Sequence, residues 1–255
     1  MLTDLFLCAV GLVIGGMNAI AGGGMLIGFP AMLAVGIPAL VANVTANIVV
    51  LPGQLASAYG YRRYLRQVPK YYAWLLIPCL TGGVIGALIL RHTSSTQFEK
   101  LVPGLVLFAV VLFALQPFLH FHLHKHMNAK RRKKSHLTII IISLALLPSA
   151  AYGGYFGAGL GFIMLAFLGF TSLSDVHQMN AMKNVGAAAI TLMSIICLFS
   201  THLIDWQHGL SMALGSTIGG YYGSVLAQKI PSHVVRIVVI VIGLAAAVYL
   251  GVRSY

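Results

Sequence analysis

The 255-residue chain is 59% hydrophobic and 8% charged, with a mean hydropathy of +0.91, whereas soluble domains carry about 25% charged residues. That composition excludes a soluble globular domain and predicts an all-α, polytopic membrane protein. The formal net charge of +12 does not make a nucleic-acid surface, because the bases gather at 62–70 and 125–134, between apolar blocks, where they mark cytoplasmic loops.

The first apolar block, 5–29, lacks a basic n-region before it and reads as a membrane segment, not a cleaved leader. It is interrupted by AGGGMLIGFP at 21–30. Clustered glycine weakens a helix there, and Pro30 cannot donate an interior hydrogen bond. The block at 38–60 carries Asn43, Thr45, Asn47 and Gln54, and further blocks follow at 72–90 and 98–119. A basic stretch, 120–136, separates this set from a second. His120, His122, His124 and His126 alternate there beside the bases, which fits a solvated loop better than a metal site.

The second set opens with a block at 137–169, interrupted at 153–161 by GGYFGAGLG. The block at 178–200 follows Asp175, a predicted helix-start residue, and His177; it contains Asn180, Lys183 and Asn184. Blocks at 208–228 and 234–251 complete the chain, after Asp205 and Trp206, which read as an interfacial loop and anchor. The expectation is about eight hydrophobic helical segments in two four-segment repeats, the first segment of each broken. Residues 1–119 and 137–255 would be the repeats, and 120–136 a cytoplasmic linker, within one membrane domain.

The duplication rests on residue identities at an offset of 137. Gly22 and Gly24 fall on Gly159 and Gly161, Asn43 and Asn47 on Asn180 and Asn184, and Gly82, Gly83 and Gly86 on Gly219, Gly220 and Gly223. The last set, GGVIG and GGYYG, suits close helix packing through small residues. The breaks near 22–24 and 157–161 suit a transport site, because paired interruptions in two repeats mark where irregular backbone lines a cavity. Two topologies remain open. If every block crosses, the repeats are parallel; if the first block of each half dips in and returns, each half crosses three times and the repeats are inverted. Counting cytoplasmic bases gives 11 for the first and 12 for the second, which does not decide.

Asn18, Asn43, Thr45 and Asn47 in the first half, and Asn180, Lys183 and Asn184 in the second, are polar groups in apolar surroundings. Residues three or four apart share a helix face. Converging amides can replace part of an oxyanion's hydration shell, Lys183 adds a compact charge that is costly in a membrane, and broken-helix N-termini attract anions. With the breaks at Gly22, Gly23, Gly24, Gly157, Gly159 and Gly161, these residues form the candidate substrate site or pathway. The rival reading is that the asparagines only join helices and that Lys183 reaches out to the interface. His177 is a candidate for proton coupling, with a simple interfacial histidine as its alternative.

Cys8, Cys79 and Cys197 lie in apolar runs without ligand spacing, no metal or cofactor is indicated, and no catalytic constellation is present. The glycine clusters lack a following GK[ST], which rejects a phosphate loop. Transport would therefore be secondary or passive.

The ordered set GGMNAIAGGGMLIGFPAMLAVGIPALVANVTAN at 15–47, YGGYFGAGLGFIMLAFLGF, MNAMKN at 179–184, LIDW at 203–206 and GGYYGSVLAQKIP resembles the TauE/SafE family of sulfite and organosulfur-anion permeases over essentially the whole chain. The second half departs from the full GGG pattern, with GAGLG in its place. The resemblance implies a multi-pass transporter of the bacterial inner membrane, moving sulfite, sulfonates or related small anions among membrane lipids. It maps the family's glycine breaks and polar helices onto the residues named above. Substrate identity, direction, coupling ion (protons among the candidates) and oligomeric state stay open. So do a carboxylate transporter and a non-transporting membrane scaffold as alternatives.

Overall fold

The computed structural model describes residues 2–20, 22–127, 136–171, 173 and 175–226, with the side chains of 112–127 and 136–139 excepted. The regular structure among them is all helix: α1 (Leu2–Ile20), α2 (Met25–Ala34), α3 (Ala39–Gly60), the single turn α4 (Arg62–Leu65), a 3-10 turn at Lys70–Leu75 leading into α5 (Leu76–Arg91), α6 (Ser95–Met127), α7 (His136–Tyr155), α8 (Leu160–Gly169), α9 (Val176–Leu198) and α10 (Trp206–Leu226). The predicted block at 234–251, residues 128–135 of the linker and the side chains of the histidine run lie outside the described residues. Four stretches among the described residues, Leu2–Ile20, Ala39–Gly60, Lys70–Arg91 and Val176–Thr201, are long and apolar enough to cross a bilayer. This is an all-α polytopic membrane protein.

An internal repeat organises the packing. At the offset of 137, α1 corresponds to α7, α2 to α8, α3 to α9 and α5 to α10. The two sets interlock: α1 packs on α10 as α7 packs on α5, α10 lies on α3 as α5 lies on α9, and the equivalent helices α3 and α9 meet each other.

Local contacts give the helix directions. Gly11 of α1 abuts Met212 and Gly15 abuts Ser216, so α1 and α10 run the same way. Gly53 of α3 abuts Ser216 and Gly60 abuts Ser224, so α3 runs the same way too. Because α1 and α3 are parallel, α2 must bring the chain back between them. Gly24 and Gly28 of that returning stretch both sit against Ile14 of α1.

The two halves point in opposite directions. His177 at the start of α9 lies 6.1 Å from the ring of Tyr61 and 4.8 Å from that of Tyr64, just past the end of α3. At the other pole the Asp205 amide, past the end of α9, donates to Thr45 Oγ1 near the start of α3 at 3.0 Å. The equivalent helices α3 and α9 are therefore antiparallel.

Glycine permits the close approaches. A Cβ on Gly219 would stand 1.9 Å from the Leu12 carbonyl oxygen, one on Gly220 2.2 Å from that of Gly53, and one on Gly86 2.0 Å from that of Ala151. GGVIG and GGYYG are thus backbone-to-backbone packing surfaces, where dispersion contact substitutes for the hydrophobic drive that lipid cannot supply. Large apolar side chains such as Leu88, Leu144, Ile196 and Leu214 face outward. Trp74 at the start of α5 and Trp206 at the start of α10 are exposed near opposite ends of the bundle, as interfacial anchors should be.

Both predicted breaks are present, between Ile20 and Met25 and between Tyr155 and Leu160. Each preceding helix ends on a glycine amide that reaches five residues back: Gly22 to Met17 at 3.0 Å and Gly157 to Tyr152 at 3.1 Å, with φ of 97° and 78°. This is the left-handed helix ending that favours glycine. The second ending falls two residues earlier than the offset of 137 implies, because Gly157 of GAGLG, not Gly159, terminates α7. The second positive φ also differs, at Gly23 in one break and Gly159 in the other. Pro30 does not take part; it lies inside α2, so the glycines alone make the first break.

Asp175 caps α9 by accepting from the His177 amide at 2.8 Å, as the sequence predicts. Asp205 does the same for α10 through the His208 amide at 3.1 Å, and its other oxygen pairs with His208 Nδ1 at 2.9 Å. Partial burial pushes the Asp205 carboxyl up, but these hydrogen bonds and the nearby imidazole outweigh it and hold it below the usual carboxylate range.

Two outcomes follow for thermal unfolding in detergent. Gly219→Val should lose about 1–3 kcal/mol or fail to assemble, because α1 and α10 cannot separate without losing their shared surface. For Asp205, a depressed folded-state pKa means stability that is full above the unfolded value of about 3.9 and is lost as pH falls through the folded value. The natural protein's advantage over Asp205→Asn should therefore shrink under acid.

Candidate functional site

The two breaks meet at the centre of the bundle. A Cβ on Gly22 would stand 2.8 Å from the Cα of Gly161, so backbone from one half lies directly on backbone from the other. Around them α3 and α9 contribute residues in equivalent pairs: Asn47 with Asn184, Val50 with Ala187, and Gln54 with Thr191. Asn18, Gly22, Gly23, Met25, Gly157, Leu160, Gly161 and Lys183 complete the lining. Asn47 and Asn184 stand eight residues inside α3 and α9, about 12 Å along each axis. The cavity is small, ≈ 30 Å³, room for about two waters.

Lys183 does not reach out to the interface. It is 2% exposed, and its ammonium donates to the Asn18 carbonyl at 2.8 Å, to Asn180 Oδ1 at 2.9 Å and to the Ala19 carbonyl at 3.5 Å. Asn18 and Ala19 belong to the last turn of α1, whose carbonyls have no helical partner and carry the negative end of the helix dipole. A buried cation is therefore paired with the end of a helix, across 165 residues of chain. Asn18 also works in the other direction: its Oδ1 accepts from the Gly24 amide at 2.9 Å and so ties the end of α1 to the start of α2.

The second half solves the same problem without charge. Asn43, equivalent to Asn180, donates from Nδ2 to the Tyr155 carbonyl at the end of α7 at 2.9 Å. Asn47 donates to the Gly153 carbonyl at 3.4 Å. The residue equivalent to Lys183 is Ala46. Lys183 is thus the one position where the two halves of the site differ in charge.

Of the sequence-predicted residues, Asn18, Gly22, Gly23, Asn47, Gly157, Gly161, Lys183 and Asn184 line the cavity. The others stand behind it. Gly24 precedes α2 and donates its amide to Asn18; Asn43 holds the end of α7; Asn180 accepts from Lys183; Thr45 receives the Asp205 amide; Gly159 packs near Ala109. His177 lies off the cavity against Tyr61 and Tyr64, with its Nδ1 buried and without a partner. Tyr61, fully buried, links the two regions, since its hydroxyl donates to the Ala19 carbonyl that Lys183 also approaches. Gln54 and Thr191 line the cavity although sequence reasoning did not select them as site residues; their own spacing of 137 was the available signal.

Two cavity amides are left with unused groups. Asn184 Nδ2 and Gln54 Oε1 are buried without a hydrogen-bond partner. An unmade bond of this kind costs about 1–3 kcal/mol, so its presence on a cavity wall marks a place for a polar guest. The starts of α2 and α8 also lie here, and helix N-termini favour negative charge.

Residues 7–250 match the family model described as Sulfite exporter TauE/SafE. The chain belongs to the TauE/SafE family. It is 32% identical over 253 residues to the "Probable membrane transporter protein ORF9" of Sinorhizobium sp, covering 96% of this chain and 91% of that protein. It is 29% identical over 245 residues to a "Probable membrane transporter protein" of Haemophilus influenzae, covering 92% and 89% of the two chains. With the "Probable membrane transporter protein YfcA" of Escherichia coli it shares 24% identity over 242 residues, covering 91% and 84%. No solved structure matches the chain significantly. This TauE/SafE member is a multi-pass transporter of small anions in a bacterial inner membrane.

Removing the helix-end partners should show in stability before it shows in transport. Lys183→Met leaves the Asn18 carbonyl and Asn180 Oδ1 without their donor and should cost about 1–3 kcal/mol or more; Asn43→Ala, which removes one neutral bond, should cost about 1 kcal/mol. Thermal unfolding of the two variants in one detergent tests the order.

Proposed function

We propose that the central cavity is the substrate site of a secondary transporter for a small sulfur oxyanion, sulfite or a sulfonate. The observation that carries this reading is the unpartnered Asn184 Nδ2 on the wall of a cavity where Lys183 and two helix N-termini converge. Asn18, Gly22, Gly23, Asn47, Gly157, Gly161, Gln54 and Thr191 complete the wall. Gly24, Asn43, Thr45, Gly159 and Asn180 hold the elements that form it. The sulfur preference comes from family membership; the geometry supports an oxyanion through its donors.

On this reading residues 1–119 and 137–255 are two inverted four-segment repeats, eight hydrophobic segments in all, joined by the cytoplasmic linker 120–136. The antiparallel course of α3 and α9 supports inversion, and the return of α2 supports a first block that dips in and comes back. Arg62, Arg63, Arg66 and Lys70, past the end of α3, then face the cytoplasm with the linker. A ≈ 30 Å³ cavity is too small for a sulfonate, so the conformation described is one closed around the site. Substrate enters when one interlocked set tilts against the other, the alternating-access motion inverted repeats provide. His177, stacked on Tyr61 between the cavity and the basic side, is the candidate group for proton coupling.

Flux of labelled sulfite or methanesulfonate into proteoliposomes, with and without a proton gradient, tests the assignment. Asn184→Ala removes a group that makes no bond in the protein, so it should fold with unchanged stability and lose at least about tenfold in apparent affinity, about 1.4 kcal/mol. Normal flux in Asn184→Ala would remove the cavity from the pathway. A natural protein that moves none of a panel of small anions would leave the scaffold reading in its place.

A further inference from the structure

The walls of the cavity carry a single formal charge. Lys183 supplies it, and among the described residues no carboxylate lines the space. Asn18, Asn47, Gln54, Asn184 and Thr191 are neutral donors and acceptors. Helix dipoles add little net charge. Two N-termini, of α2 and α8, bring about +0.5 each, and two C-termini, of α1 and α7, bring about −0.5 each; the breaks place them in adjacent pairs.

The repeat sharpens the count. A duplicated site could carry two lysines, but the position equivalent to Lys183 is Ala46, buried at 2% exposure. The other charged groups described near the ends of α3 and α9 lie outside the cavity lining: Asp175 caps α9, Asp205 pairs with His208, and Arg62, Arg63, Arg66 and Lys70 follow the end of α3. Nor can Lys183 strengthen its grip by pairing twice with one guest, because its three N–H groups already address three protein oxygens. It acts as a fixed point charge behind the amides.

We infer that this site selects singly charged oxyanions and rejects doubly charged ones of the same shape. The inference rests on the transport reading above and adds the charge state of the substrate to it. A monoanion leaves the closed cavity neutral. A dianion leaves one uncompensated negative charge away from water, and the desolvation of that second charge is not repaid by neutral amides. Sulfite would then travel as hydrogen sulfite, and sulfonates as those with no second acidic group.

The test uses the natural full-length protein in proteoliposomes and two tetrahedral anions of similar size, methanesulfonate with one charge and sulfate with two. Against labelled methanesulfonate, unlabelled methanesulfonate should compete at least about tenfold better than sulfate. Relative to methanesulfonate, which does not ionise there, apparent affinity for total sulfite should fall as pH rises through the ionisation of hydrogen sulfite. Equal competition by sulfate overturns the inference and leaves anion transport standing. So does a parallel loss for sulfite and methanesulfonate, which would assign the pH effect to the protein. If neither anion nor sulfite is transported, the transport reading fails and the charge selection falls with it.

Discussion

The ammonium of Lys183 at the end of α1 is the contact on which the centre of the molecule depends. A helix that stops inside a membrane exposes carbonyls that neither water nor lipid can satisfy. Here the Asn18 and Ala19 carbonyls receive a cation from α9, while Asn180 Oδ1 takes the remaining donor. The charge stabilises the break, and the break gives the charge its partners. Each alone is costly, the unpaired buried lysine more so than the unpaired helix end.

From this contact the arrangement of the halves follows. Lys183 reaches α1 across the pseudo-symmetric interface, and Asn43 reaches the end of α7 across the same interface in the other direction. Each half therefore completes the broken helix of the other. The glycine surfaces of α5 and α10 repeat the exchange, since each packs on the first helix of the opposite half. Such reciprocal packing interlocks the two halves and places their breaks back to back.

The equivalence is incomplete at two points. The helix endings differ in register by two residues because GAGLG offers its first usable glycine earlier than AGGG does. One ending is held by an ammonium and the other by a neutral amide. A transporter working by exchange of two mirror conformations need not be symmetric in energy. The buried charge on one side gives its two closed ends different partners, and the proposed substrate meets one fixed cation in place of two.

Much of this was legible in the residues themselves. The apolar blocks, the basic stretch after α3 and the glycine clusters follow from short-range rules of hydropathy and backbone freedom, which act within a few residues. The repeat was legible because Asn43 and Asn47 recur as Asn180 and Asn184, and the same spacing joins Gln54 to Thr191. The function of each amide was not. Asn43 and Asn180 share a sequence context with Asn47 and Asn184, yet only the second pair lines the cavity, while Asn43 holds the end of α7 and Asn180 accepts from Lys183. One helical turn separates those fates, and only the neighbours across the interface distinguish them. Sequence alone determined that the chain is a duplicated bundle with two weak points in its helices, because composition and glycine act locally. Tertiary structure decided that equivalent helices run in opposite directions and that Lys183 faces inward, because both depend on partners up to 165 residues away.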